Sequence, residues 1–181
     1  AWSACTENHP PVFGGLSAWG ETVCALREEL MPLGWDRLNE ANLPLVVNSD
    51  RTIALTVATG DEQTGRKDGM QPCTMSAKGP RTIAAIAANN QQIVLFPEML
   101  PDSVMPKNGR ITWLLLIHRD TQGRELRVEL SRPTSMAPEG HVDGWAERII
   151  LRSTPFDELP VMGLDNPPET PEIDIDIKRR A

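Results

Sequence analysis

Hydrophobic positions recur along this chain with two different periods. Leu16, Trp19, Val23, Leu26, Leu30 and Leu33 follow one another at spacings of three and four, which lines one side of a helix with apolar side chains. Glu21, Arg27 and Glu28 lie off that stripe. Gly15 and Ser17 suit the start of the helix, and Pro32 with Gly34 ends it. From Leu43 onward the period becomes two. Leu43–Asn48 and Thr52–Ala58 predict a hairpin, turned at Asn48-Ser49-Asp50-Arg51 by residues that bond their own backbone or tolerate left-handed dihedrals. Arg110–His118 is almost continuously apolar, as a strand covered on both faces is. After a turn at Asp120-Thr121-Gln122-Gly123, Glu125–Arg132 alternates Leu126, Val128 and Leu130 with Arg127, Glu129 and Ser131. Trp145–Arg152 is the fifth strand. Pro80–Gln92 predicts a second helix, with Pro80 at its first position and four alanines in its body, although its Ile-Ala-Ala-Ile-Ala run also fits a strand.

The order is helix, two strands, helix, three strands, and the short links favour antiparallel pairing. The expected fold is α+β: a single antiparallel sheet of about five strands, packed by the N-terminal amphipathic helix. The second face is then covered by the second helix or left to a partner. Two regions are expected, a domain over 1–156 and a Pro-rich, acidic, extended C-terminal tail over 157–181. The tail closes on Glu172-Ile173-Asp174-Ile175-Asp176-Ile177, the alternation of a strand with one apolar face, followed by Lys178-Arg179-Arg180.

Composition narrows the function classes. Of 181 residues, 40% are hydrophobic, enough for a core, and no run approaches the length needed to span a bilayer. The formal net charge is −7, and the segment from Asp157 onward contributes more than half of it. The near-neutral body gives nucleic-acid binding no compositional support. Three widely spaced cysteines argue against a disulfide framework, and no secretory signal opens the chain, so the expected location is the cytoplasm. The five tryptophans are expected to pack in or beside the core.

Candidate chemistry concentrates between Gly60 and Thr82. That stretch is long for a loop in a compact domain, and its glycines permit close backbone approach. Arg66, Lys67, Lys78 and Arg81 are basic, and Lys78-Gly79-Pro80-Arg81-Thr82 leads into a helix N-terminus, where an anion is favoured. Arg66, Lys67, Lys78, Gly79, Arg81 and Thr82 are therefore the candidate residues for a phosphate-bearing ligand, against the alternative of a mobile surface loop. No phosphate-loop pattern is present. No C-x2-C pair supports a metal site, and no cofactor is implied. Glu129 and Glu147, on neighbouring strands, offer a carboxylate pair if they share a face; alternating charges on a wet sheet face look the same. His118-Arg119-Asp120 repeats a kinase tripeptide without the rest of that motif. No catalytic residue is identified, and enzymatic activity is not the favoured expectation.

The tail carries the partner prediction. Ile173, Ile175 and Ile177, with Arg179 and Arg180, suit strand addition to the chain's own sheet, to a second copy or to another protein. The segments FGGLSAWGE, ELSRP and GWAERIIL, with the acidic tail and its KRR end, resemble bacterial proteins of phage-like and other mobile elements, a group without an established activity to carry over. The resemblance implies a small accessory or regulatory protein. The expected function is a protein-interaction module: an inhibitor, an antitoxin-like regulator or an assembly factor. The alternative is an enzyme or sensor that takes a phosphate-bearing small molecule through the 60–82 loop.

Overall fold

A computed structural model describes residues 6–91 and 110–158; the C-terminal tail from 159 onward, with its Ile and Arg positions, lies outside them. The architecture is α+β. Helix α1 spans Phe13–Leu30 and runs into a 3-10 turn over Met31–Leu33, which Gly34 ends in the left-handed region at φ 85°. Strands β1 (Asp36–Glu40), β2 (Leu43–Val47) and β3 (Ile53–Thr59) follow, then α2 (Pro80–Gln91) and strands β4 (Ile111–Asp120), β5 (Glu125–Met136), β6 (Val142–Ile150) and β7 (Thr154–Pro155). Six strands lie side by side in chain order, and β7 pairs with the start of β5.

The sheet departs from expectation in two respects. Among the described residues it holds seven strands rather than about five. β1, Asp-Arg-Leu-Asn-Glu, carries Leu38 as its only apolar residue, so no alternation announces it; it forms by pairing with β2 across the turn at Ala41 and Asn42. The sheet is also not wholly antiparallel, because β3 and β4 run parallel in register from Ile53–Ile111 to Thr59–Ile117. Hairpin logic governs strands joined by a few residues. The connection from β3 to β4 covers residues 60–110 and carries α2, long enough to cross over and re-enter the sheet from the same end.

Both expected hairpin turns form for local reasons. Asn48 Oδ1 accepts the Ile53 N–H at 2.9 Å, and its amide donates to Thr52 Oγ1. Asp120 Oδ1 accepts from the backbone N–H groups of Gln122 and Gly123 at 3.1 and 2.9 Å.

Register assigns the faces. Ala54, Thr56, Ala58, Thr112, Leu114 and Leu116 share one face with Arg127, Glu129 and Ser131. α2 packs on that face: Ile86 joins Ala58, Leu114, Leu116, Val142 and Trp145 in one core cluster. A second cluster holds Leu43, Leu45, Val47 and Ala54, with Leu38 beside it. α1 packs against β1, β2 and β3. Its apolar stripe is less buried than its periodicity implies. Ala18 is its one buried residue, while Leu16 is 61% and Leu33 74% exposed. The helix lies at the end of the sheet where β2 and β3 share only two registered pairs, so there is little continuous surface for it to cover.

α2 is fastened by a side chain that completes the sheet. Two positions beyond the last registered β4–β5 pair, Leu114–Ser131, stand Thr112 and Pro133. Pro133 has no N–H to donate, so the ladder cannot continue unaided. The fully buried Asn89 amide fills in: its Nδ2 donates to Thr112 O at 2.8 Å and Pro133 O at 3.0 Å, and its Oδ1 accepts the Thr112 N–H at 2.8 Å. Asn89→Leu leaves three buried backbone groups without partners and is expected to lower unfolding free energy by about 2–4 kcal/mol in urea titration. Asn90→Ala, which removes one exposed bond to Thr134 O, is expected to cost no more than about 1 kcal/mol.

Candidate functional site

The stretch from Gly60 to Gly79 is pinned to the sheet. A β-bridge joins Gly60 to Thr74. The Asp61 N–H donates to Cys73 O, and the Thr74 N–H donates to Val142 O. Trp145 Nε1 donates to Pro72 O at 2.8 Å, and His141 Nδ1 lies 2.6 Å from Thr74 O. Thr64, Pro72 and Thr74 are buried.

What pins the middle of the loop is a carboxylate. Glu129 is 0% exposed and takes a two-pronged grip from Arg148, Nε to Oε1 at 3.1 Å and Nη2 to Oε2 at 2.6 Å. Its remaining acceptor capacity takes the Gly65 N–H at 2.8 Å and the Ser131 hydroxyl at 2.8 Å. Arg148 also donates to Arg66 O at 3.3 Å. Gly65 sits at φ +73°, and a Cβ there would come within 2.9 Å of the Arg127 Cβ. Desolvation pushes the Glu129 carboxyl up, but the Arg148 guanidinium, the Gly65 N–H and the Ser131 hydroxyl outweigh it, and its pKa lies below the ordinary range.

The charged face of β5 is thus the inside of the protein, not the wet face. Arg127 is buried as well, ion-paired to Asp120 at 3.1 Å with Glu125 at 3.8 Å. The expected carboxylate pair does not form. Glu147 is registered opposite Arg132 and Glu129 opposite Ile150, which puts the two acids on opposite faces. Asp120 of the His-Arg-Asp tripeptide serves the hairpin turn and holds Arg127. Among the described residues, no group of three His, Cys, Asp or Glu side chains is placed to hold a metal ion.

The candidate ligand residues divide between two depressions. Arg66 and Lys67 line an open cleft of ≈ 640 Å³ over Arg127 and Glu125, walled by Ile150 and Arg152. Its charges alternate in sign, and its buried cation is already neutralised by Asp120. Lys78 and Thr82 line a different groove of ≈ 620 Å³, between the start of α1, the ends of β2 and β3, and the start of α2. Gly79 and Arg81 are exposed beside it. Three glycines of the loop approach the protein itself, Gly60 against Thr64, Gly65 against Arg127 and Gly69 against Gln63, whereas Gly79 faces open space. Val12, Leu16 and Met75 also line the groove; Leu16 belongs to the apolar stripe of α1, but nothing in the sequence brings it to Met75, which stands in a polar run in a separate segment.

Opposite the charged face, Trp113, Leu115 and Ile117 of β4, Leu126, Val128 and Leu130 of β5 and Ile149 of β6 share one face by register, with Arg119 of β4 opposite Leu126. Ile117 is buried, Trp113, Leu115, Leu126, Val128 and Leu130 are half-buried, Ile149 is 43% exposed, and Leu151 beside them is 42% exposed. No helix among the described residues is long and apolar enough to cross a membrane. No family model, curated protein or solved structure matches the chain.

Glu129 supplies two tests. Glu129→Gln leaves Arg148 without its counter-charge and is expected to lower stability by about 3–5 kcal/mol by chemical denaturation. Because the folded carboxyl titrates below its ordinary value of 4.5, its stabilisation is complete above that value and is lost as pH falls through the folded pKa. Thermal melts from pH 7 downward are expected to show a decline below about pH 4.5 that is shallower in Glu129→Gln.

Proposed function

We propose that the protein is an accessory or regulatory interaction module of the bacterial cytoplasm, which docks a protein partner through the apolar face of β4, β5 and β6. The observation that carries this reading is the inversion of β5. Its Arg127, Glu129 and Ser131 are covered, while Leu126, Val128 and Leu130 stand beside exposed Ile149 and Leu151. Contiguous apolar surface of this kind marks an interaction site in a folded protein. The partner it fits is a protein surface with an apolar centre. The charged groups beneath the loop are engaged with one another, which leaves them no reacting partner to hold. Strand addition through Ile173, Ile175 and Ile177, with Arg179 and Arg180, is a second contact belonging to the same proposal.

The alternative, a phosphate-bearing ligand held by the 60–82 loop, draws support from Arg66 and Lys67 over the cleft. It loses support from the wide division of Lys78 and Thr82 into a separate groove.

A photo-crosslinking residue placed at Ile149 in the native host, with another at the exposed turn residue Arg51, tests the docking face. One partner protein is expected to crosslink from position 149 and not from 51. Leu151→Asp is expected to reduce that adduct while the melting temperature stays within about 2 °C, as for a surface change. Equal adducts from both positions, or none from 149, overturn the proposal.

A further inference from the structure

The groove between the two helix starts exists because β2 and β3 part company. They are in register only at Val46–Leu55 and Val47–Ala54. Beyond that, groups from elsewhere take up the carbonyls along the gap. Thr56 Oγ1 donates to Pro44 O at 2.8 Å, Trp19 Nε1 to Val57 O at 3.1 Å, and the Met75 N–H to Thr59 O at 2.9 Å. The floor of the groove therefore offers an apolar guest these carbonyls already satisfied, so that covering them from water strands none of them. Its walls are apolar and open to solvent: Val12 is 72%, Leu16 61% and Met75 61% exposed.

One cation stands in this setting. Lys78 lines the groove, half-buried, and its ammonium donates to the Ser76 hydroxyl at 3.2 Å. Among the described residues it has no carboxylate within ion-pair distance. Burial pushes its pKa down, the mark of a charge taken partly out of water without a counter-charge. Lys78 lies just before α2, whose first backbone N–H groups, at Arg81 and Thr82, have no carbonyl within the helix to bond. Inorganic phosphate does not suit these walls, which among the described residues include no cation besides Lys78 and present mainly carbon.

We propose that this groove binds a small organic acid: an apolar body lies between Leu16, Met75 and Leu43, and its single carboxylate meets the Lys78 ammonium and the start of α2. The volume of ≈ 620 Å³ is that of an ordinary small-molecule site. The site is separate from the docking face on β4–β6 and does not depend on it.

The test is a titration of the full chain, labelled at its methyl groups, with decanoate, followed by NMR. Decanol and decyltrimethylammonium serve as neutral and cationic arms. Decanoate is expected to shift the Leu16, Leu43, Val57 and Met75 methyls saturably and to bind more tightly than either analogue. Lys78→Met keeps the apolar stem and removes the charge. It is expected to weaken decanoate about ten-fold or more, the worth of a charged hydrogen bond, and to leave decanol unchanged. Leu16→Glu, at an exposed position, places a fixed carboxylate on the wall and is expected to weaken decanoate as well. The proposal is overturned by equal affinity for all three compounds, by shifts at other methyls or none at millimolar ligand, or by unaltered decanoate binding in Lys78→Met.

Discussion

A buried carboxylate decides which side of this sheet is the inside. Glu129 is fully enclosed, and every part of its coordination comes from a different element: Arg148 from β6, Gly65 from the long loop, Ser131 from its own strand. Burying such a pair is costly, and an apolar replacement of equal volume is often as stable. What the pair secures here is position. A carboxylate that must be met by two guanidinium nitrogens and one backbone N–H admits one placement of the loop, and Gly65 is the residue whose backbone reaches it at φ +73° without colliding with Arg127.

The rest of the surface follows from that placement. The loop and α2 both lie on the face of Glu129, Leu114 and Leu116. On the opposite face Leu126, Val128 and Leu130 are half-buried beside exposed Ile149 and Leu151. The proposed docking face is thus the counterpart of a polar interior: the strand that alternates most cleanly places its charged set inside.

A second constraint acts where strand pairing fails. Pro133 stops the β4–β5 ladder and Asn89 closes the gap with a side chain, fixing α2 over β4 and β5. Where β2 separates from β3, Thr56, Trp19 and the Met75 backbone perform the same repair. The first repair leaves a closed core, and the second leaves an apolar groove with Lys78 at its edge. Unpaired carbonyls near a strand end must find donors, and the donors that arrive shape the space around them.

The sequence by itself determined the elements whose causes are local. Asn48 and Asp120 bond their own turns, so both hairpins were legible. Pro80 and its alanines marked α2, and Lys78 and Thr82 were legible as the approach to its first turn. Only tertiary structure decided the rest. Leu38 alone could not announce β1, and nothing near Thr59 or Ile111 says that they lie on parallel strands. Alternation in β5 separates Leu126, Val128 and Leu130 from Arg127, Glu129 and Ser131, but the period of two is the same whichever set is inside. That choice rests on Arg148 and Gly65, outside the strand, and the groove that Val12, Leu16 and Met75 wall likewise depends on segments brought together only by the fold. A local pattern records the geometry of one strand or helix, whereas burial is settled by which distant segment comes to lie against it.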